Sequence, residues 1–372
     1  MVHVVTTQPI SRLAFSFHFR YSQPTPPEQQ PKMCRWFAYL GLEPALLEDV
    51  LINPSHSIIR QIDSHFLPRL HSTYSPHHKG IFSRASDDPG NPNLLTNVDG
   101  FGVGYYTDAK ADFEVAVIGP HPVTYKSVRP PLNDLNLRAL AANTSTMCVF
   151  THIRAATGLT PVVETNNHPF IFGRYVFMHN GVVASFADFH PQFLQKLSKK
   201  ARANVLGTTD SENVAALFFT HLCPDDDWEC DHAVAEFKSA MQHTIADILA
   251  FGKEVGTTKP HSLNFAVTDG TRLLATRFSS QQDHEPPTLY YSTTAGATLN
   301  RKYPDHPDGP SAKKVESNLK LEEHAPHAIV ASEPNTYKVF CDANVVNLSR
   351  RMSGHWFRGK VSFLWMRISP SK

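Results

Sequence analysis

The chain has 372 residues, of which 41% are hydrophobic and 19% charged. That is enough apolar material for one large layered domain or two average ones, and it excludes a globally disordered chain. No run of 18 apolar residues occurs, which excludes an ordinary transmembrane helix. With 35 basic and 34 acidic residues the formal charge is +1, so the overall balance points to neither nucleic acid nor a membrane surface.

In chain order, residues 1–32 read as a polar, proline-rich extension: four prolines fall between Pro24 and Pro31 among Ser22, Gln23, Gln29 and Gln30. Such a segment buries too little to order itself. Arg12 and Arg20, with no acid before Glu28, keep a mitochondrial presequence open as an alternative to a misassigned start. From Met33 onward compact elements follow. Strands are predicted at 34–40, 101–107, 113–119, 147–154, 174–179, 263–268, 272–278, 289–293 and 328–332, from β-rich or alternating composition. Helical periodicity predicts a helix over 210–222, with Val214, Leu217, Phe218 and Leu222 on one face, and another over 232–251. Many strands with few long helices indicate stacked sheets flanked by helices rather than repeated βαβ units. Residues 74–98 and 300–320 read as long loops. The segment 337–372 carries seven Lys/Arg against one Asp and no clear periodicity; it is expected to be a basic tail.

Five scattered cysteines (Cys34, Cys148, Cys223, Cys230 and Cys341), with no clear signal peptide, fit a reducing, cytoplasmic compartment better than a disulfide framework. The 21 histidines lack a metal-ligand motif. Gly100, Gly102 and Gly104 do not make a dinucleotide fingerprint, because the third spacing is wrong and no helix follows.

Four segments carry chemistry. Cys34 as the first residue of a mature chain would have its own α-amine as a base, since that amine titrates near ~7.7–8.0; as an internal residue it reads as a small buried hydrophobe. Arg154, at the end of a strand in Thr151-His152-Ile153-Arg154-Ala155-Ala156-Thr157, is placed to fork a carboxylate or to make an ordinary ion pair. Asn180-Gly181, after Phe177-Met178-His179, supplies either two oxyanion donors or a type I′ turn. Thr209 and Glu212 have capping-box spacing, which puts Asp210 in the first helical turn, as a dipole partner or as a ligand for an ammonium.

Met33-Cys34-Arg35-Trp36, Asp99-Gly100-Phe101-Gly102-Val103-Gly104, His152 to Thr157, His179-Asn180-Gly181 and Thr209-Asp210-Ser211-Glu212 occur in one order. Together they resemble the class II glutamine amidotransferase domain of the N-terminal nucleophile hydrolases, over about 33–336. The Cys-Arg-Trp-Phe start and Ala331-Ser332-Glu333-Pro334 are similar to a fungal branch that works with a metallopeptidase partner subunit in glutathione degradation.

The resemblance implies an α+β fold, a four-layer αββα sandwich. It implies that Cys34 attacks a γ-glutamyl carbonyl, that Asn180 and Gly181 hold the oxyanion, and that Arg154 and Asp210 bind the α-carboxylate and α-ammonium. Thr157 and His179 complete the expected substrate-binding set. The expected substrate is a γ-glutamyl small molecule, with no metal or organic cofactor. Alternatives are a glutaminase subunit supplying ammonia, a γ-glutamyl hydrolase of ergothioneine synthesis, or a non-catalytic subunit if the 32-residue extension blocks Cys34.

Overall fold

Alternate residues of the first strand face two different apolar layers, and that alternation sets the architecture. The computed structural model describes residues 34–54, 56–61, 99–156, 160–281, 283–284, 286–293, 299–301, 325–335, 346–347 and 361–367, all within one unit, Lys32–Lys372. Its elements are β1 (Arg35–Leu46), α1 (Leu47–Leu51), β2 (Phe101–Thr107), α2 (Ala109–Phe113), β3 (His121–Ser127), α3 (Leu135–Asn143) and β4 (Ser145–Ile153). There follow β5 (Phe170–Phe172), β6 (Tyr175–Val182), α4 (Phe186–Lys196), α5 (Lys199–Ala203), α6 (Asp210–Leu222) and α7 (Val234–Glu254). The remaining strands are β7 (Ser262–Thr268), β8 (Arg272–Phe278), β9 (Tyr290–Ser292), β10 (His327–Ala331), β11 (Val346–Asn347) and β12 (Val361–Arg367).

The strands form a seven-stranded sheet, β11-β9-β10-β1-β4-β2-β3, and a five-stranded sheet, β12-β8-β7-β6-β5. Trp36, Ala38 and Leu40 of β1 join Cys148 and Phe150 of β4 and meet Val176, Met178, Ala266 and Ala275 of the second sheet. Phe37 and Tyr39, one residue out of step, pack instead with Leu47 and Val50 of α1 and Leu137 and Ala141 of α3. The far face of the second sheet, through Phe177, Phe265 and Leu274, packs on α4, α6 and α7. Three apolar layers between four structural layers make the αββα sandwich that the resemblance implied.

Helix α6 has the bounds that the periodicity predicts, but its burial is wider than one face. Ala215, Ala216 and Phe219 are as buried as Val214 and Phe218, because the helix is covered by sheet and neighbouring helices together. Each fully buried Phe contributes roughly 1.5–3 kcal/mol.

The strand predicted at 113–119 is not there. Phe113 ends α2, and Phe113 and Val115 are 91% and 103% exposed; a short alternating apolar run has no sheet to bury against here. The strand lies next along, at His121–Ser127, whose Pro122 is tolerated because β3 is the last strand of its sheet. In the segment read as a basic tail, β12 pairs antiparallel with β8, from Val361 opposite Phe278 to Arg367 opposite Arg272.

Candidate active site

The site forms where strand ends from both sheets meet. Cys34 immediately precedes β1, Arg154 and Ala155 follow β4, Ser332 and Glu333 follow β10, and Asn180 and Gly181 lie near the end of β6. Arg35 pairs with Ile153 and Phe37 with Ala331, so all three ends from the first sheet are adjacent.

Cys34 is half-buried. Its Sγ accepts a hydrogen bond from the Ala155 N–H at 3.3 Å and sits 3.6 Å from the Ala155 carbonyl oxygen. Burial pushes the thiol up, the Ala155 N–H and the Arg154 and Arg35 guanidiniums pull it down, and Asp210 opposes them. A thiol held up by burial needs a base before it can attack.

Arg154 is buried, with one guanidinium N–H donated to the Pro161 carbonyl at 2.9 Å. No described carboxylate forms an ion pair with it, so the fork is available to a carboxylate ligand. Burial lowers its pKa, opposed by the charge of Asp99 and by that of Cys34 when ionised. Asp99 takes the Ala156 N–H at 2.9 Å, and Gly100 O takes the Arg154 N–H at 2.8 Å; the glycine-rich motif thereby fixes the Arg154 loop. Gly102 has a separate reason: a Cβ there would lie 2.1 Å from the His168 carbonyl oxygen. Thr157 lies outside the described residues.

Asn180-Gly181 is not a turn. β6 runs straight through both residues, pairing Asn180 with Asn264 and Gly181 with Leu263 of β7. The Asn180 Nδ2 donates to the Cys34 carbonyl at 2.9 Å and reaches Ser332 Oγ at 3.4 Å. Gly181 has φ +152°, and a Cβ would lie 1.8 Å from the Ser262 carbonyl oxygen, so only glycine fits.

His179 lies on the face of β6 opposite to Asn180. The period-two alternation of β6 turns its ring away from Cys34 and toward α6. There Nε2–H donates to Ser262 O at 3.1 Å and Nδ1 faces Ser211 Oγ at 2.8 Å. Its ring is 1% exposed and burial lowers its pKa. These bonds tie β6 to α6 and to β7.

Asp210 lies near enough to Cys34 for its charge to act on the thiol. Its Oδ2 accepts from Val183 N at 2.9 Å and its Oδ1 from Ser211 N at 2.7 Å and Ser211 Oγ at 3.1 Å. A carboxylate has about four acceptor sites, so capacity for an ammonium remains. Thr209 caps α6 by accepting from Glu212 N at 3.2 Å. Glu212 does not close the reciprocal box; it reaches further back, to the N–H groups of Leu206 and Gly207.

Sequence reasoning missed three kinds of contributor. Ser332 and Glu333 had a signal, the Ala-Ser-Glu-Pro run, but no assigned role. The Ala155 N–H had none, since a backbone donor leaves no trace in residue type. His152 is a third: its Nε2–H donates to the His179 carbonyl at 3.0 Å and ties the two sheets together beside the site.

Residues 87–287 match the family of class-II glutamine amidotransferases. The chain is 31% identical over 314 residues to the probable glutamine amidotransferase DUG3 of Saccharomyces cerevisiae, covering 82% of this chain and 77% of that one. It is 26% identical over 245 residues to the gamma-glutamyl-hercynylcysteine sulfoxide hydrolase of Mycolicibacterium smegmatis, covering 66% and 78%. Among solved structures, a class-II glutamine aminotransferase domain protein from Silicibacter pomeroyi aligns with TM-score 0.47 and 22% identity, over 91% of this chain and 100% of that one. The chain belongs to the class-II glutamine amidotransferase family.

Proposed function

We propose that this protein is an N-terminal-cysteine amidohydrolase that cleaves γ-glutamyl amides, with glutathione as its substrate and glutamate and cysteinylglycine as products. The observation that carries the reading is the convergence of a thiol, Asn180, an Arg154 fork with no ion-pair partner among the described residues, and Asp210 at one end of the space between the sheets. A γ-glutamyl group offers the matching set: a carbonyl for Cys34 and Asn180, an α-carboxylate for Arg154 and an α-ammonium for Asp210. The γ-glutamyl substrate in the name of the mycobacterial relative supports the same choice.

In this reading translation or processing leaves Cys34 as residue one. Its α-amine takes the thiol proton through water, and Sγ adds to the γ-carbonyl. The oxyanion is held by Asn180 Nδ2 and the Gly181 N–H. The C–N bond breaks, the leaving amine takes the proton, and a γ-glutamyl thioester remains for water to hydrolyse. A metallopeptidase partner subunit belongs to the proposal through the resemblance alone.

The test is the N-terminal sequence of the natively matured chain, followed by turnover of glutathione and glutamine. A start at Cys34 with faster glutathione cleavage is expected. Faster glutamine hydrolysis would replace the reading with an ammonia-supplying glutaminase, and an active chain that still carries residues 1–33 would overturn it.

A further inference from the structure

A residue at the very start of a chain has no preceding peptide to hold it, and chain ends fray unless tied down. Catalysis by Cys34 requires the opposite, because a displacement of about 1 Å at the reacting atom costs on the order of 100-fold in rate. The structure shows what ties residue 34 down. Its carbonyl oxygen takes two donors, Asn180 Nδ2 at 2.9 Å from the second sheet and Arg35 Nη1 at 3.1 Å from its own neighbour. The Arg35 guanidinium is in turn held by Glu333, with Nε to Oε1 at 2.8 Å. Both side chains are almost entirely buried, at 4% and 2% exposure. On the other side of Glu333, His56 Nε2 lies 3.6 Å from Oε2, while its Nδ1–H donates to Pro334 O at 2.7 Å.

We infer that Glu333 is a positioning residue for the nucleophile: acting through Arg35, it clamps the Cys34 carbonyl and so sets the direction of the thiol and of the α-amine. The next residue back strengthens the arrangement. Ser332 exchanges hydrogen bonds with Trp36, its N–H donating to Trp36 O at 2.9 Å and its Oγ accepting from Trp36 N at 3.1 Å. That exchange locks the end of β10 against the start of β1. A buried ion pair is a weak source of net stability compared with apolar residues of the same volume, so stability alone does not account for this one. Orientation of the adjacent nucleophile does.

This inference rests on the γ-glutamyl hydrolase reading for its kinetic arm only. The experiment compares the natively matured full chain with Glu333→Gln and with the double substitution Arg35→Met/Glu333→Met, which removes both charges together. Thermal midpoint, kcat, KM for glutathione and the rate of Cys34 alkylation by iodoacetamide are read on each. In the folded double variant kcat is expected to fall at least tenfold with KM within threefold, while alkylation rises at least threefold as the thiol leaves its place beside Ala155. Glu333→Gln, which keeps an acceptor for Arg35, is expected to lie between the two. A double variant with wild-type kcat and alkylation would overturn the inference and leave the pair as packing. If the wild-type chain turns over no γ-glutamyl substrate, the functional reading fails, and the alkylation ratio alone decides the clamp: a rise supports it and no change overturns it.

Discussion

Asn180 and His179 are neighbours in sequence, yet their side chains stand on opposite faces of β6: Asn180 reaches the Cys34 carbonyl at 2.9 Å, and His179 bonds Ser211 and Ser262 on the helix side. The two substitutions therefore have different outcomes. Asn180→Ala should lower kcat by roughly 100- to 1,000-fold, the usual loss for one oxyanion donor, with little change in KM. His179→Ala should act first on stability, at about 2 kcal/mol, by removing the buried ring and its bonds to the Ser211 hydroxyl and the Ser262 carbonyl. Steady-state kinetics alongside thermal melts separate them, and equal effects on kcat would refute the division of labour.

Stacked sheets flanked by helices were legible from the many short β-rich runs and the period of α6, whereas the αββα order came from the resemblance; the candidate site stood out because Cys34, Arg154, Asn180 and Asp210 are each chemically distinctive. What escaped has physical reasons. Residues 113–119 alternate like a strand but lie exposed, whereas the true strand at His121–Ser127 looks weak because an end strand tolerates Pro122. That the His179 ring turns toward Ser211 and Ser262 was not legible, because motif membership does not reveal which side of a strand a residue faces. Only the pairing register, with His179 opposite Phe265 and Asn180 opposite Asn264, does that.

Arg154→Lys tests the carboxylate fork. Lysine keeps the charge but loses the planar two-point geometry. KM for a γ-glutamyl substrate should rise about 10- to 100-fold, matching roughly 1.5–3 kcal/mol for a charge-assisted hydrogen bond, with a smaller change in kcat. Asp210→Asn should raise KM similarly. A fall in kcat alone in either variant would move that residue out of ground-state recognition.

Gly181→Ala should not yield a working site. The added Cβ would lie 1.8 Å from the Ser262 carbonyl oxygen at a φ of +152°, so β6 and β7 must separate where the oxyanion donors sit. A loss of at least ~3 kcal/mol is expected, in the range of backbone strain added to a broken strand pairing. Chemical denaturation measures it; a variant with normal stability would show that the strands part freely here.

Acid should destabilise the fold well before the carboxylates titrate. Burial lowers the pKa of His152 to about 3 and pushes His168 well below its ordinary value. Their ring centroids lie 4.0 Å apart with the planes tilted by 32°, and neither His168 nitrogen has a hydrogen-bond partner among the described residues. The unfolded chain binds protons at these residues near pH 6.5 and the folded chain does not. Their contribution to stability is therefore full above pH 6.5 and lost as pH falls toward 3. For His152 the loss is roughly 2 kcal/mol by pH 5. Urea melts between pH 7.5 and 5 should show it, and His152→Gln should flatten the slope; a flat wild-type profile would mean that the pair is protonated in the native state.

The pH dependence of turnover should report an amine and not the thiol. Burial pushes the Cys34 thiol up, so at neutral pH it is mainly protonated and requires a base. The proposed base is its own α-amine, which is free to accept a proton only above about pH 7.7–8.0. The logarithm of kcat/KM should thus climb with unit slope to about that pH and then level. Acetylating the α-amine should remove the limb and nearly all activity, while leaving Cys34 open to alkylation. An acetylated chain with full turnover would assign the base to another group.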